Sequence, residues 1–528
     1  MSVLATNVST MNLSEVAEVS AQVAATSSRL AKRDLLAGLL TRTAADDVGI
    51  VVTYLAGELR QRRTGVGWAS LSDLPEPAAE PTLQVAAVDA ELERIAGMAG
   101  PGSAAARRDA VRTLFAAATA IEQRLLRGLL SGEVRQGALD AAILDAVAHA
   151  SEVPLPVLRR AVMFRGSTAP VAVAALTEGR AAVEAFTAEV GQPVRPMLAS
   201  SAPDVAAAVA KLTGDTAAAV AVDTKLDGIR IQAHTWARED GAREVRLFTR
   251  SLDDITERLG EVAAIVAGLP VDDAILDGEV LAVDETGGAR PFQDTAARTA
   301  TADPGAAVSG LRPAFFDLLH LDGESLVDLR LRDRLARLEA LVPPEHRVNR
   351  LVTEETGAAA TFFAEVVASG HEGVVLKDLS APYEAGRRGA AWVKVKPRHT
   401  LDLVVLAVEQ GSGRRRGWLS NIHLGARDPE TGEFVMLGKT FKGMTDAMLR
   451  WQTERFTALA VDPAAVERGD WVVPLRPEQV VEIAFDGVQR STRYPGGVAL
   501  RFARVLRYRE DKRPEEVDTI EAVRALRG

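Results

Sequence analysis

The chain contains no cysteine. That excludes disulfides, thiolate zinc sites and thiol nucleophiles, and it fits a cytosolic setting. No uninterrupted apolar run has the length of a membrane span, and the first residues lack the basic-then-apolar pattern of a secretory signal. The expectation is a soluble, cytoplasmic protein. Lysine is scarce beside arginine, alanine and valine, a bias that fits a GC-rich bacterial genome. Cationic charge is not in excess either. A net charge of −10 argues against a protein that coats nucleic acid by bulk charge, although steering depends on where charges sit. What is present is a 528-residue chain that is 47% apolar, enough for roughly three domains at ~100–200 residues each.

The stretch Asp223-Thr224-Lys225-Leu226-Asp227-Gly228-Ile229-Arg230 organises the rest. Small apolar residues at 217–222 lead into it and an alternating stretch at 229–234 leads out. This reads as strand, tight turn, strand, with Gly228 allowing the bend. A lysine at a strand end beside a carboxylate and an arginine is, taken alone, also what a charged hairpin tip looks like.

Residues 1–190 read as helical, rich in Ala, Leu, Arg and Glu, with turn clusters at 70–81 and 100–103. Within them, residues 123–140 read as helix, Gly-containing turn, helix. Arg135 and Gln136 fall at the start of the second helix, where unpaired backbone N–H groups attract phosphate. A second basic turn carries Arg62 and Arg63. Both turns are either solvated connections or backbone contacts of a scaffold that holds a duplex without reading its sequence. Pro193 and Pro196 prevent helix continuation, which places a domain boundary near residue 191.

Further on, residues 245–250 alternate as a strand ending on Arg250, and a helix is expected over 254–268. Residues 274–283 read as a buried strand interrupted by an acidic kink at Asp277-Gly278-Glu279. Charge within an apolar strand is costly unless paired or bound to a cation, so an ion pair and a metal or ribose contact are the two readings. Residues 314–319 form a short apolar strand with Asp317 marking its end. Gly370-His371-Glu372-Gly373 leads into a strand carrying Lys377, followed by Arg388 and by Trp392-Val393-Lys394-Val395-Lys396. Period-two alternation puts Trp392, Lys394 and Lys396 on one face, where two lysines repel unless an anion lies between them. From residue 400 the chain alternates as strands at 401–408, 418–426, 434–441 and 479–485, with a helix at 445–459. That suggests a small barrel of the oligonucleotide-binding type. Its basic tip Arg414-Arg415-Arg416 suits either a phosphate or bulk water.

Lys225-x-Asp227-Gly228, Asp277-Gly278-Glu279, Phe316-Asp317, Glu372-Gly373 with Lys377, and Lys394-x-Lys396 follow one another in an order and spacing that closely resemble the nucleotidyltransferase motifs of ATP-dependent DNA ligases. RNA ligases and mRNA-capping enzymes share them. Several weak matches in the right order are jointly specific. Residues 501–512, from Arg501 through Arg504 to Lys512, resemble the last motif of that family, with Ala503 where proline is usual. Residues 132–137 look like the helical DNA-binding domain of three-domain ligases, and in domain order and size the chain looks like the small actinobacterial-type enzymes.

The resemblance implies an all-α DNA-binding domain (1–190), an α+β adenylation domain with antiparallel sheets (191–398) and an OB-fold β-barrel domain (399–528). It implies nick sealing in duplex DNA by a monomer, with ATP and Mg²⁺ or Mn²⁺, through AMP carried on Lys225. Asp223, Arg230, Arg250 and Arg388 would contact nucleotide or nick phosphate, Glu279 would meet the ribose or a metal, and Phe316 would stack on adenine. Lys377, Lys394 and Lys396 would meet the α-phosphate, and Arg504 and Lys512 the pyrophosphate. Asp227, Glu279 and Glu372 are the metal candidates. Arg62, Arg63, Arg135, Gln136, Arg414, Arg415 and Arg416 are the DNA-contact candidates. Glutamate is more usual than aspartate at position 223. An RNA ligase or capping enzyme is the nearest alternative, and a non-catalytic DNA-binding protein the next.

Overall fold

The computed structural model describes residues 10–134, 139–214, 216, 218–283, 295, 310–384, 388–397 and 399–526. Arg135 and Gln136 lie outside them. Two compact units divide the chain: Met1–Ser200 with Ala219–Arg350 and Lys377–Trp392, and Ser201–Ala218 with Leu351–Leu376 and Val393–Gly528.

The first unit opens with helices, from Leu13–Ala25 to Arg180–Glu184. Their local signals are plain. Ahead of the helix Ala120–Ser131, the Glu122 carboxylate accepts from the Thr119 N–H at 2.7 Å, satisfying a donor that has no partner within the helix. At the other end Gly132 takes φ 67° and stops it. Leu39, Val51, Leu92, Phe115, Leu126 and Ile143 bury their side chains in one shared core.

The strands of the chain begin with β1 (Leu198–Ser201), β2 (Val220–Thr224), β3 (Ile229–Ala237), β4 (Arg243–Thr249), β5 (Asp273–Ala282), β6 (Leu311–Leu321) and β7 (Glu324–Ser325). An antiparallel sheet of order β4-β3-β5-β6-β7 holds the first unit's second core, around Ile231, Leu247, Leu276 and Phe315. The expected 254–268 helix is shorter, Gly260–Ala267, preceded by a single turn at Thr256–Arg258. The acidic kink is not a break. β5 runs continuously, while its register with β6 slips twice, between Ile275 and Leu276 and between Asp277 and Gly278. Nor does Asp317 end its strand. It lies inside β6, fully buried, because Arg334 from the helix Leu331–Leu341 neutralises it with contacts of 2.8 and 2.9 Å.

The junction at residue 191 is pinned to β3 by side chains. Gln232 accepts from the Val194 N–H (2.7 Å) and donates back to its carbonyl (3.1 Å). Nδ1 of His234 accepts from the Gly191 N–H at 3.0 Å, and Nε2 is 2.9 Å from the Gln232 carbonyl oxygen. Both ring nitrogens thus have the roles of a neutral imidazole. A proton on Nδ1 would face another donor. Burial, with His320 and Arg246 nearby, lowers the His234 pKa to about 3. The unfolded chain therefore binds this proton first as pH falls, and stability is lost from about pH 6.5 downward. His234 should account for about 2 kcal/mol of lost stability between pH 7 and pH 5. The urea midpoint measured at both pH values checks it: His234→Gln should show a smaller difference than the wild type.

The remaining strands are β8 (Arg350–Thr353), β9 (Val374–Asp378), β10 (Arg388–Val395), β11 (His399–Gln410), β12 (Leu419–Arg427), β13 (Phe434–Thr440), β14 (Val472–Pro474), β15 (Val480–Phe485), β16 (Gly487–Arg490), β17 (Val498–Arg501) and β18 (Arg504–Arg509). A sheet ordered β1-β10-β9-β2-β8 carries several of the motifs. In the second unit, β13-β12-β11-β15-β18 form one sheet, with β14 beside β11, and β16 pairs with β17. The expected barrel is an open sheet: among the described residues no ladder joins β13 to β18. Beyond Thr440 the chain turns away through Gly443 (φ 84°), so single bonds take the place of a ladder. The Val505 N–H donates to the Lys442 carbonyl (2.9 Å) and Thr440 Oγ1 to the Ala503 carbonyl (2.6 Å). No helix among the described residues is long and apolar enough to cross a membrane.

Candidate active site

β2 is buried at every position and ends on Thr224, whose N–H is held by the Asn349 carbonyl at 2.9 Å. The chain then leaves the strand, and Lys225 is the first residue of the turn. It is half-buried, with Nζ 3.3 Å from the Leu226 carbonyl. Gly228 closes the turn against β5. Its N–H donates to Glu279 Oε1 at 2.8 Å, and a Cβ there would collide with the Val280 carbonyl oxygen and lie 2.8 Å from Leu281. Glycine is required by this close approach rather than by its dihedral angles. Glu279 thus fixes the turn that carries Lys225, and Asp227 sits half-buried in the same turn.

Asp223, two residues before the lysine, is buried. Both of its oxygens are engaged, one set of contacts coming from Arg350 (Nη2 at 2.8 Å) and one from Lys377 (Nζ at 2.7 Å). Burial alone would raise the Asp223 pKa, but the Arg350 and Lys377 charges more than offset it and hold the carboxyl below its ordinary value. Burial, reinforced by Arg350, pulls the Lys377 pKa below its ordinary value despite the attraction of Asp223. Lys377 Nζ lies over two rings, 4.4 Å from the Phe316 centroid and 4.2 Å from that of Trp392, which meet edge to face. The Phe316 carbonyl accepts from Arg350 (3.0 Å) and Lys377 (3.3 Å). Arg350 and Lys377 thus hold the backbone of the residue whose ring is expected to stack on adenine, and Lys377 also lies over that ring.

Arg230 lies against the same rings, 5.5 Å from Phe316 and 5.6 Å from Trp392. It grips Asp277 through two bonds, 3.0 and 2.6 Å, and donates to the Met197 carbonyl at 2.6 Å. Tyr383 Oη donates to Asp277 at 2.7 Å and accepts from the Met197 N–H at 3.0 Å. Asp277 thus has a structural partner in the first motif itself. Arg250 is exposed just past β4. Arg388 is on β10, with its side chain outside the described residues.

In the second unit, Lys396 follows β10 and lies 3.0 Å from Glu372 Oε1 and 3.2 Å from Asp486 Oδ2. Arg501 stands 3.9 Å from Glu372, and Arg504 3.5 Å from Asp486. Burial opposes the charge on Lys396, yet Glu372 and Asp486 raise its pKa above the ordinary lysine value. Lys394 is half-buried on the β10 face expected for it, while Val393 and Val395 are buried. Lys512 is 2.6 Å from Asp402. Arg414 and Arg416 are exposed at the tip after β11, and Arg415 donates to the Phe441 carbonyl at 2.7 Å. In the first unit, Arg63 is exposed and Arg62 pairs with Asp253 at 2.8 Å.

Arg350, Arg334, Tyr383, Asp402 and Asp486 are not marked in the sequence. None belongs to a recognisable local pattern. Arg350 is 127 residues from Asp223, and only the sheet brings them together.

Three family models match the chain in order: DNA ligase N terminus over residues 69–148, ATP dependent DNA ligase domain over 196–396, and ATP dependent DNA ligase C terminal region over 415–512. A "Probable DNA ligase" of Beutenbergia cavernae is 64% identical, covering 98% of this chain and 100% of that protein. Another, from a Nocardioides strain, is 60% identical over 98% and 99%. The solved structure titled "Pmar-Lig_PreS3" shares the fold, with a TM-score of 0.62 at 20% identity over 94% of this chain and 99% of that one. The matched regions define an enzyme of the nucleotide-dependent ligase class. The chain belongs to the ATP-dependent DNA ligase family.

Proposed function

We propose that this enzyme seals nicks in duplex DNA as a cytoplasmic monomer, through AMP bound covalently to Lys225. The observation that carries the reading is the Lys225 turn itself: Glu279 holds it closed, and Phe316, its carbonyl bonded to Lys377 and Arg350, belongs to the same compact unit. In the first step the Lys225 amine attacks the α-phosphorus of ATP, the N–P bond forms and pyrophosphate leaves. AMP then passes to the 5′-phosphate of the nick, and the 3′-hydroxyl displaces it. A lysine attacks only when neutral, so neighbouring cations that disfavour its protonated form are part of the equipment. Positioning and charge neutralisation supply most of the catalysis of such transfers.

Phe316 is the adenine platform in this proposal, and Asp223 acts through Arg350 and Lys377 to set it. Lys377, Lys394 and Lys396 serve the α-phosphate, Arg504 and Lys512 the pyrophosphate, and Arg230, Arg250 and Arg388 the nucleotide or the nick. Among the described residues no three acidic or histidine side chains form a ready-made metal cluster. That fits magnesium, or manganese, arriving with the triphosphate and keeping water ligands. Asp227, Glu279 and Glu372 are the carboxylates that would hold it; when bound, the ion neutralises phosphate charge. The segments 1–190, 191–398 and 399–528 are the proposed DNA-binding, adenylation and OB-type domains, with Arg62, Arg63, Arg135, Gln136 and Arg414–Arg416 on the DNA backbone.

A sealing gel tests the reading. Nicked DNA should be joined with ATP, and not with GTP or NAD in its place. Joining of nicked RNA in preference to DNA, or sealing driven by GTP, would transfer the protein to the RNA ligases or capping-type enzymes.

A further inference from the structure

Five charged side chains of the second unit alternate in sign: Arg501, Glu372, Lys396, Asp486, Arg504. Glu372, Lys396 and the two arginines were expected from the sequence. Asp486 was not. It follows β15 directly, and its N–H is bonded to the Arg501 carbonyl at 3.0 Å, so its backbone is fixed by the β16–β17 hairpin. Its two oxygens face different cations, Oδ2 toward Lys396 (3.2 Å) and Oδ1 toward Arg504 (3.5 Å). A triphosphate whose α-phosphate meets Lys396 and whose pyrophosphate part meets Arg504 would engage the same two cations through its own oxygens. The site is only partly open to water: the side-chain exposures of Lys396 and Asp486 are 19% and 22%.

We propose that Asp486 is a placeholder for phosphate, a positioning residue that keeps Lys396 and Arg504 together before nucleotide binds and must yield them when it does. The inference rests on the proposed roles of Lys396 and Arg504 toward ATP. An incoming triphosphate competes with a carboxylate already in place, so part of its attraction is spent on displacing Asp486. Removing that carboxylate's charge lowers the ATP concentration needed for the first step. It leaves untouched a step that binds no triphosphate. Glu372 stays on the other side of Lys396, so the lysine keeps one carboxylate partner in the variant.

The test is transfer of label from α-labelled ATP to the full-length enzyme, with KM and kcat separated, for the wild type, Asp486→Asn and Asp486→Glu. Asp486→Asn should lower KM for ATP about fivefold, the scale of one partly exposed ion pair. Sealing of a pre-adenylated nick should stay within about twofold of the wild type. Asp486→Glu keeps the charge and should keep the wild-type KM. Should Asp486→Asn fail to fold, as judged by its thermal transition, Asp486→Ser is read by the same criterion. A KM that is unchanged or raised in the charge-free variant overturns the placeholder role. Absence of any label on the wild-type enzyme would instead overturn the adenylation reading, which keeps the two failures apart.

Discussion

Lys225→Ala should abolish transfer of label from α-labelled ATP to the protein, a loss of at least about a thousandfold, as removal of a nucleophile typically gives. Among the described residues of the first unit no other amine lies in the Lys225 turn. Lys377, in the same unit, is buried between Phe316 and Trp392 and bound to Asp223. Attack by its Nζ on a phosphorus atom would give up its contacts with Asp223 and the Phe316 carbonyl. Alanine at 225 keeps the closure of the turn, since Gly228 and Glu279 make it through a backbone N–H. The variant should therefore melt close to the wild type while failing in the labelling assay. It should still seal a nick that already carries AMP, because the 3′-hydroxyl and not the lysine attacks in that step. Label persisting on another residue of Lys225→Ala would remove Lys225 from its assigned role.

The largest effect on stability should come from Arg334→Met. Arg334 and Asp317 are both fully buried, and Arg334 also donates to the Leu329 carbonyl at 2.6 Å. A buried pair of this kind adds little net stability compared with a well-packed apolar pair, but breaking it leaves one charge uncompensated, at a cost of about 3–5 kcal/mol. The charge left behind sits beside Phe316 on β6, so the adenine platform should suffer as well as the fold. Urea unfolding measures the first effect and KM for ATP in the labelling assay the second. Arg334→Met combined with Asp317→Leu should recover much of the stability, since no lone charge remains. If the single variant loses less than about 1 kcal/mol, the pair is not the interior tie described here.

These two residues also mark the limits of reading the chain by itself. The strand–turn–strand around Lys225 was legible because it is local: a buried run, a turn with an obligatory glycine and an alternating strand, within a dozen residues. The lysine itself was singled out only by the order of the motifs that follow it. Glu372, Lys377, Lys394 and Lys396 were singled out in the same way, each by the place of its short motif in the series. The acidic residues misled at the level of local structure. Asp277 and Asp317 read as a kink and a strand end because an unpaired carboxylate does not sit inside an apolar strand. Both lie within continuous strands, their charges answered by Arg230 and Arg334. The barrel likewise exceeded what alternation can establish: period two marks strands, but closure depends on which strands meet at the ends.

The sequence alone determined the helical first third, the strand–turn–strand around Lys225 and the order of the motifs, since turns, periodicity and capping act between near neighbours. Only the tertiary structure decided that Arg350 and Lys377 brace Phe316 through Asp223, that Arg334 neutralises Asp317, and that Asp486 stands between Lys396 and Arg504. Charge pairing follows distance in space, and residues far apart in the chain carry no mark of it until the sheets bring them together.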